Sequence, residues 1–370
     1  MKRALIVTLA LLLLAASFPA DGEQAEALLT SGDYEYRVLE DGTAEIMRYR
    51  GSAKFLEIPG KLNGLAVTRI GDRAFSDCEN LTGITIPDNV NDIGENPFSY
   101  CVNLNQVIVN PDHPALATMD GVLFNKADKR LIWYPMPRED TVYEIPQGIQ
   151  SIGAEAFSRC ENLAGISIPD SVTSIGDGAF VLCSSLKEIT IPDSVTNLGY
   201  NPFADCKNLN RVTVHPDHPV LATIDGVLFN KADKRLIWYP MPRKDTVYEI
   251  PQGIQSIGDG AFNSCSSLKE ITIPDSVTSI GDGAFEGCRN LKKITIPDSV
   301  TSIGDGVFYG CEDLTSISIP DSVTSIGDWP FDGCSSLQKV IVAPDSYAQQ
   351  YCEDNGLLFV FQENTDWLNQ

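Results

Sequence analysis

Few residues in this chain have the types and spacing that chemistry requires, and those few recur. The stretch GDGAFEG at residues 281–287 puts glycines at 281, 283 and 287, close to the Gly-rich loops that cradle phosphates. A phosphate loop occurs once, between a strand and a helix whose N-terminal amides face the anion; the Walker form is followed by a lysine and the GxGxxG form opens a βαβ unit, neither of which is found here. Here GDGAF or a close variant returns at 176, 258, 281 and 304, with no lysine after it and with GxGxxxG spacing rather than GxGxxG. The glycines read as scaffolding.

The other candidates are equally periodic. Of the ten cysteines, nine hold one position of a repeated unit. Buried thiols behave as small hydrophobes, so a small apolar slot is the favoured reading, with neighbouring thiols still within reach of oxidation. There is no CxxC, and His113, His215 and His218 all fall in insert loops, so no metal site is assigned. Aspartates form two columns, one including Asp88, Asp170, Asp193, Asp275, Asp298 and Asp321, the other Asp177, Asp259, Asp282, Asp305 and Asp328. Stacked carboxylates are able to hold calcium, but the glycine-rich calcium repeat is absent and turn formation explains them better. HExxH, GxSxG and a convincing cysteine–histidine pair are missing. Carboxylates such as Glu249 and Glu270 share one face, as a glycosidase pair would, yet any solenoid offers such pairs by chance. No catalytic residue and no cofactor is assigned.

The elements that position these residues follow from self-alignment. LxxIxIPDSVTSIGDGAFxxC recurs every 23 residues, marked by Cys160, Cys183 and Cys206 and again by Cys265, Cys288, Cys311 and Cys334. The intervals Cys101–Cys160 and Cys206–Cys265 are 59, or 23 plus 36. Residues 107–153 match residues 212–258 at 42 of 47 positions, an offset of 105 that indicates an internal duplication. Within one unit, Ile271 and Ile273 alternate with polar residues as in a half-buried strand, and Pro274 stops it. Val277 and Ile280 begin a second short strand. Gly281 and Gly283 permit a sharp turn, and AFxxC is expected to make one helical turn with Phe285 and Cys288 facing inward. One coil cannot bury its apolar face alone, so stacking must supply the core. Markers from Ile58 to Val342 count twelve coils.

This unit closely resembles the BspA-like leucine-rich repeat over about residues 50–343. Pro and Asp follow the strand, so the asparagine ladder of the commoner LxxLxLxxN signature is absent, and the ligand sites of other leucine-rich classes do not transfer. The resemblance implies a secreted or cell-surface protein of a host-associated microbe, some relatives acting as adhesins for host proteins. The expected fold is a leucine-rich repeat solenoid, mainly β with short helical turns. It has about twelve coils of 23 residues, two enlarged to 36 by a β-hairpin insert, with caps at both ends. The boundaries are a signal peptide at 1–20, an N-terminal cap at 21–57 and the solenoid at 58–343. Inserts fall at about 110–141 and 215–246, and a C-terminal cap at 344–370. DYEYRVLEDGTAEIMRY at 33–49 reads as two strands about an Asp-Gly turn, and 345–360 as a short helix ended at Gly356 and then a strand.

Two surfaces are candidates for binding. DGVLFNKADKRLIWYP suggests a hairpin carrying Trp133, Tyr134, Met136 and Arg138, repeated as Trp238, Tyr239, Met241 and Arg243. Aromatic, Met and Arg side chains form interfaces, although they would serve equally as the core of an irregular coil. The two hairpins would stand about five strand spacings apart, roughly 24 Å, which suits bivalent engagement. The alternative is the exposed, concave face of the sheet, where Glu188, Thr190, Arg211, Thr213, Glu270, Thr272, Lys293 and Thr295 point outward. Glu188 beside Arg211 and Glu270 beside Lys293 then become cross-strand ion pairs. That face has few aromatics and looks bland.

Composition narrows the partners. The net charge is −23 with a pI near 4.4, which repels nucleic acid and anionic lipid surfaces. Lys2, Arg3 and the apolar run Ala4–Ala16 read as an export signal too short to span a membrane comfortably, so no membrane insertion beyond it is expected. The chain is therefore expected to be an exported, non-enzymatic protein that binds a host or neighbouring-cell macromolecule, most plausibly a protein. A structural surface or matrix component without a specific ligand is the second reading, and a carboxylate glycosidase a remote third.

Overall fold

The computed structural model describes residues 28–362; the export signal lies outside them. Each repeat lays down two strands. Glu270–Thr272 pairs in parallel with Val247–Glu249 on one side and Lys293–Thr295 on the other, each 23 residues away, to build a first sheet. Ser279–Ile280 pairs in parallel with Ser256–Ile257 and Ser302–Ile303, to build a second. The Pro-Asp corner between them closes with Val277 N–H donating to the Pro274 carbonyl at 3.0 Å. The second sheet runs without a break through seven strands from Leu221–Ile224 to Ser325–Ile326.

The third side departs from the expected helical turn. Ala284 N–H donates to the Gly281 carbonyl at 3.3 Å and Cys288 N–H to the Phe285 carbonyl at 3.1 Å. Gly283 and Gly287 sit at φ +54° and +67° as the third residue of each turn. Those are type II turns, which need a left-handed residue there. A helical turn is excluded by this alternation, which instead frees the intervening amides for the next coil: Gly283 N–H reaches the Asp305 carbonyl at 2.7 Å and Phe285 N–H the Val307 carbonyl at 2.9 Å. All three sides are thus hydrogen-bonded from coil to coil. Gly281 has a different task from Gly283. A Cβ there would lie 2.1 Å from the Asp259 carboxylate and 2.7 Å from the Asp259 amide nitrogen, so glycine is needed for close stacking.

The core is a set of side-chain columns. Phe262, Phe285, Phe308 and Phe331 stack with ring centroids 5.2, 5.5 and 5.8 Å apart, as do Phe157, Phe180 and Phe203 at 5.3 and 5.7 Å. Burial of each such ring, or of each Ile and Leu in the parallel columns, contributes about 1.5–3 kcal/mol. The solenoid makes about 14 turns rather than twelve. An ordinary coil adds one phenylalanine layer, whereas each widened coil adds two aromatic layers. Trp133 meets Phe98 edge-on at 5.5 Å on the preceding side and Tyr134 meets Phe157 at 5.0 Å on the following side.

Each insert holds three antiparallel strands, one more than the hairpin expected. Leu116–Met119 turns through Asp120 and Gly121, φ +49° and +79°, into Val122–Asn125, which pairs with Arg130–Trp133. Arg130–Trp133 then joins the second sheet in parallel with Ser151–Ile152. At the N-terminal end, Leu29–Ser31, Tyr34–Val38 and Ala44–Tyr49 form an antiparallel set whose last strand pairs in parallel with Leu65–Ile70. At the other end, helix Tyr347–Asp354 is capped by Ser346, whose hydroxyl accepts from Gln349 N–H at 3.2 Å, and strand Phe359–Phe361 closes the first sheet beside Lys339–Val342.

Candidate functional site

Three sets of groups that suggested chemistry become part of the frame. In the second aspartate column, Asp259 accepts from Asp282 N–H at 2.9 Å, Asp282 from Asp305 N–H at 2.8 Å and Asp305 from Asp328 N–H at 2.8 Å. This is a carboxylate-to-amide ladder between coils, and such charge-assisted bonds are stronger than neutral ones. All ten cysteines are free. The thiols of Cys183, Cys206, Cys288 and Cys311 each donate to the phenylalanine carbonyl one coil back, at 3.0–3.2 Å. Burial pushes the Cys206 thiol up to about 12, which keeps it protonated and poorly nucleophilic. Among the described residues no group of three or more His, Cys, Asp or Glu side chains is placed to hold a metal ion. His218 is a buried clasp: its Nδ1 accepts from Val220 and Leu221 N–H at 3.2 and 3.0 Å, and its Nε2 lies 3.2 Å from the Pro192 carbonyl. Desolvation lowers its pKa, as expected of a ring held neutral by two amide donors.

The insert aromatics lie inside the molecule. Trp133, Tyr134, Trp238 and Tyr239 are all buried, the tryptophans against Phe98 and Phe203 and the tyrosines against Phe157 and Phe262. The physical reason is the missing phenylalanine of the widened coil, whose column the Trp-Tyr pair continues. Arg138 and Arg243 are half-buried; their guanidinium groups lie 5.3 and 5.2 Å from the Tyr134 and Tyr239 ring centroids and pair with Asp140 and Asp245. Burial pushes the Tyr134 hydroxyl up to about 12. Met136 and Met241 are partly covered, and Met241 packs on the core. No tryptophan of the inserts is available to a partner in this arrangement.

A cleft of about 520 Å³ opens on the turn side where the first insert interrupts the array. Arg73 bonds Glu155 at 2.7 Å, Asn96 donates to the same carboxylate at 2.5 Å, and Arg159 lies 4.2 Å over the Tyr100 ring. The cations of this cleft are therefore engaged by its own anion and ring. At the positions 105 residues later stand Gly178, Asn201, Gly260, Asp205 and Ser264, so the duplicated block does not repeat this chemistry.

The outer face of the first sheet remains. Glu188, Thr190, Arg211, Thr213, Thr272, Lys293 and Thr295 are exposed on it and Glu270 is half-exposed. The register places Glu188 beside Arg211, Thr190 beside Thr213, and Thr272 beside Thr295. Lys293 Nζ reaches Glu270 Oε1 at 2.8 Å. The same outward column carries apolar residues that the sequence reading passed over. Val142 is 62% exposed, Val247 is 52% exposed beside Glu270, and Phe55 lies across Gly83, where a Cβ would meet its ring at 2.5 Å. Counting three residues back from every marker, rather than from four of them, finds all three.

Comparison with known proteins agrees with this architecture. The sequence profile described as BspA type leucine rich repeat region matches residues 52–127, 141–237 and 245–352, in six copies. Among solved structures, a leucine rich cell surface protein from Faecalibacterium prausnitzii A2-165 is 30% identical with a TM-score of 0.52, covering 89% of this chain and 98% of its own. A leucine-rich repeat protein from Eubacterium ventriosum is 24% identical with a TM-score of 0.51, covering 85% of this chain and 77% of its own. The pneumococcal vaccine antigen PcpA is 20% identical with a TM-score of 0.52, covering 91% of this chain and 99% of its own. These last two share the fold. No curated protein matches the chain. With a matching profile along most of its length and three hydrogen-bonded sides repeating every 23 residues, the chain belongs to the BspA-type leucine-rich repeat family.

Proposed function

We propose that the chain is an exported, cell-surface protein that binds another protein, as an adhesin for a host or neighbouring cell, through the outer face of its first sheet. One observation carries this reading. Val142, beside Gly165, and Val247, beside Glu270, stand exposed in the outward column that also carries Glu188, Arg211 and Lys293, so apolar anchors are set within a polar field. Interfaces are built in that way, from a few desolvated anchors inside a polar rim. Family membership supports the general role, since leucine-rich surface proteins present their sheets as extended binding surfaces. The reading also takes the chain to be non-enzymatic, because the buried thiols, the laddered aspartates and the clasped histidine are all committed to structure.

The test is saturable binding of the chain lacking residues 1–20 to immobilised extracellular matrix proteins and glycans. A saturable signal on one protein at micromolar concentration or below is the expected result. A flat response across the whole panel would leave the second reading, a structural surface component with no specific ligand.

A further inference from the structure

A second surface stands out on the inserts, and it does not depend on the sheet face being used. A groove of about 380 Å³ lies between the strand Leu116–Met119, the following strand and the corner turn at Pro146–Ile149. Its floor is the buried Phe124 and its wall is Met119, which is 52% exposed. Among the described residues its only charged lining groups are Lys126 and Lys129, on a chain whose net charge is −23. Lys126 is held by the His113 carbonyl at 2.6 Å, and Asp128 between the two lysines is taken up by Arg130 at 3.1 Å. Among the described residues strand Leu116–Met119 ends its sheet and pairs only with Val122–Asn125; of its outward edge groups the Leu116 N–H is taken by His113 Nδ1 at 3.0 Å, and Thr118, which lines the groove, keeps its N–H and carbonyl open. Ten of the eleven lining residues recur 105 positions later; the eleventh replaces Met119 with Ile224, which is also 48% exposed.

We infer that the two inserts form twin docking grooves for an extended, acidic and apolar segment of a partner protein. The outward N–H and carbonyl of Thr118, and of Thr223 in the second copy, offer main-chain hydrogen bonds that an extended polypeptide satisfies and a fatty anion does not. An apolar side chain of the segment enters over Phe124, or Phe229 in the second copy, and flanking carboxylates face the lysine pair. Cationic grooves on an otherwise acidic protein exclude its own acidic surface and select the opposite charge. The grooves stand about 24 Å apart, so a partner with two such segments binds both at once and gains about 100-fold or more over one.

The test titrates the chain lacking residues 1–20 with a fluorescent peptide of alternating phenylalanine and aspartate. Parallel titrations use the same peptide with lysine for aspartate, dodecanoate, and a tandem peptide with a flexible linker. The expected result is two peptides bound per chain, one in either Met119→Asp or Ile224→Asp, none in the double variant, and no binding of the lysine peptide. The tandem peptide should bind at least about 100-fold tighter than the single one to the unaltered chain and no tighter to either single variant. Both substituted side chains are exposed, and circular dichroism confirms the fold. Peptide binding that survives the double variant, dodecanoate competing for the same sites, or no saturable binding of the peptide would each overturn the inference. A Val142→Asp, Val247→Asp variant should bind the peptide normally, so failure here is distinct from failure of the sheet-face reading.

Discussion

At position 133 a tryptophan follows an isoleucine in a strand of a surface insert, and local sequence alone does not say whether it faces solvent. Its place is decided by the phenylalanine column, which skips from Phe98 to Phe157 and leaves a gap that Trp133 and Tyr134 fill. The column was visible in the sequence as a spacing of 59; that the insert's own aromatics continue it depends on where the chain folds back, which spacing does not encode. Trp133→Ala should therefore act as a core truncation, costing about 3–5 kcal/mol, seen as a lower urea midpoint. An unchanged midpoint would place that ring at the surface. His218 gives a second residue-scale expectation. Its pKa lies below the ordinary 6.5 in the folded chain, so the unfolded chain binds more protons below that pH. The stability this clasp contributes is present above pH 6.5 and is lost as pH falls through the folded value. Asp193 and Lys231 face the ring with opposite effects on it, after desolvation. The urea midpoint should fall between pH 7 and pH 5.5, and His218→Gln should lessen the fall.

At the scale of elements, strand positions and the proline corner were legible because alternation and Pro274 leave little choice. The AFxxC segment was not, because its inward Phe and Cys are three apart in a helical turn and equally inward in two successive type II turns. The discriminating signal is the glycine at 283 and 287, which a helix would not ask for twice within five residues. Gly281 and Gly283 should respond differently to substitution. Gly283→Ala forces a left-handed alanine and should cost about 1–2 kcal/mol, while Gly283→Asn should cost less. Asn96 and Asn201 already hold the equivalent positions at φ +42° and +43°. Gly281→Ala should cost more than Gly283→Ala, since its Cβ would meet the Asp259 backbone, whereas the Cβ at 283 would meet only the flexible end of the Glu286 side chain. Chemical denaturation of the three variants ranks them, and equal effects would show that stacking distance does not limit this turn.

Across the whole molecule, the fold is nearly one-dimensional: coils contact neighbours, and three hydrogen-bonded sides run along one axis. Removing residues 279–301, one period, joins Thr278 to Ser302 in the native order and should leave a folded protein shorter by about 4.8 Å. Removing residues 279–290 instead breaks all the columns and should abolish the cooperative transition. The family and the solenoid could be read from sequence because every column repeats. The outer sheet face was offered by the sequence as the second candidate surface, but its apolar points were missed, because Phe55, Val142 and Val247 sit in the coils that deviate from the consensus, the first and those after the two inserts. Under the proposed function these deviations mark the recognition face. The most direct measurement is the dissociation constant for the first matrix partner found, compared between the unaltered chain and a folded Val142→Asp, Val247→Asp double variant. A loss of about 30-fold or more is predicted, the sum of two anchors worth about 1–2 kcal/mol each. Affinity unchanged in the double variant would contradict the claim and move recognition away from the first sheet.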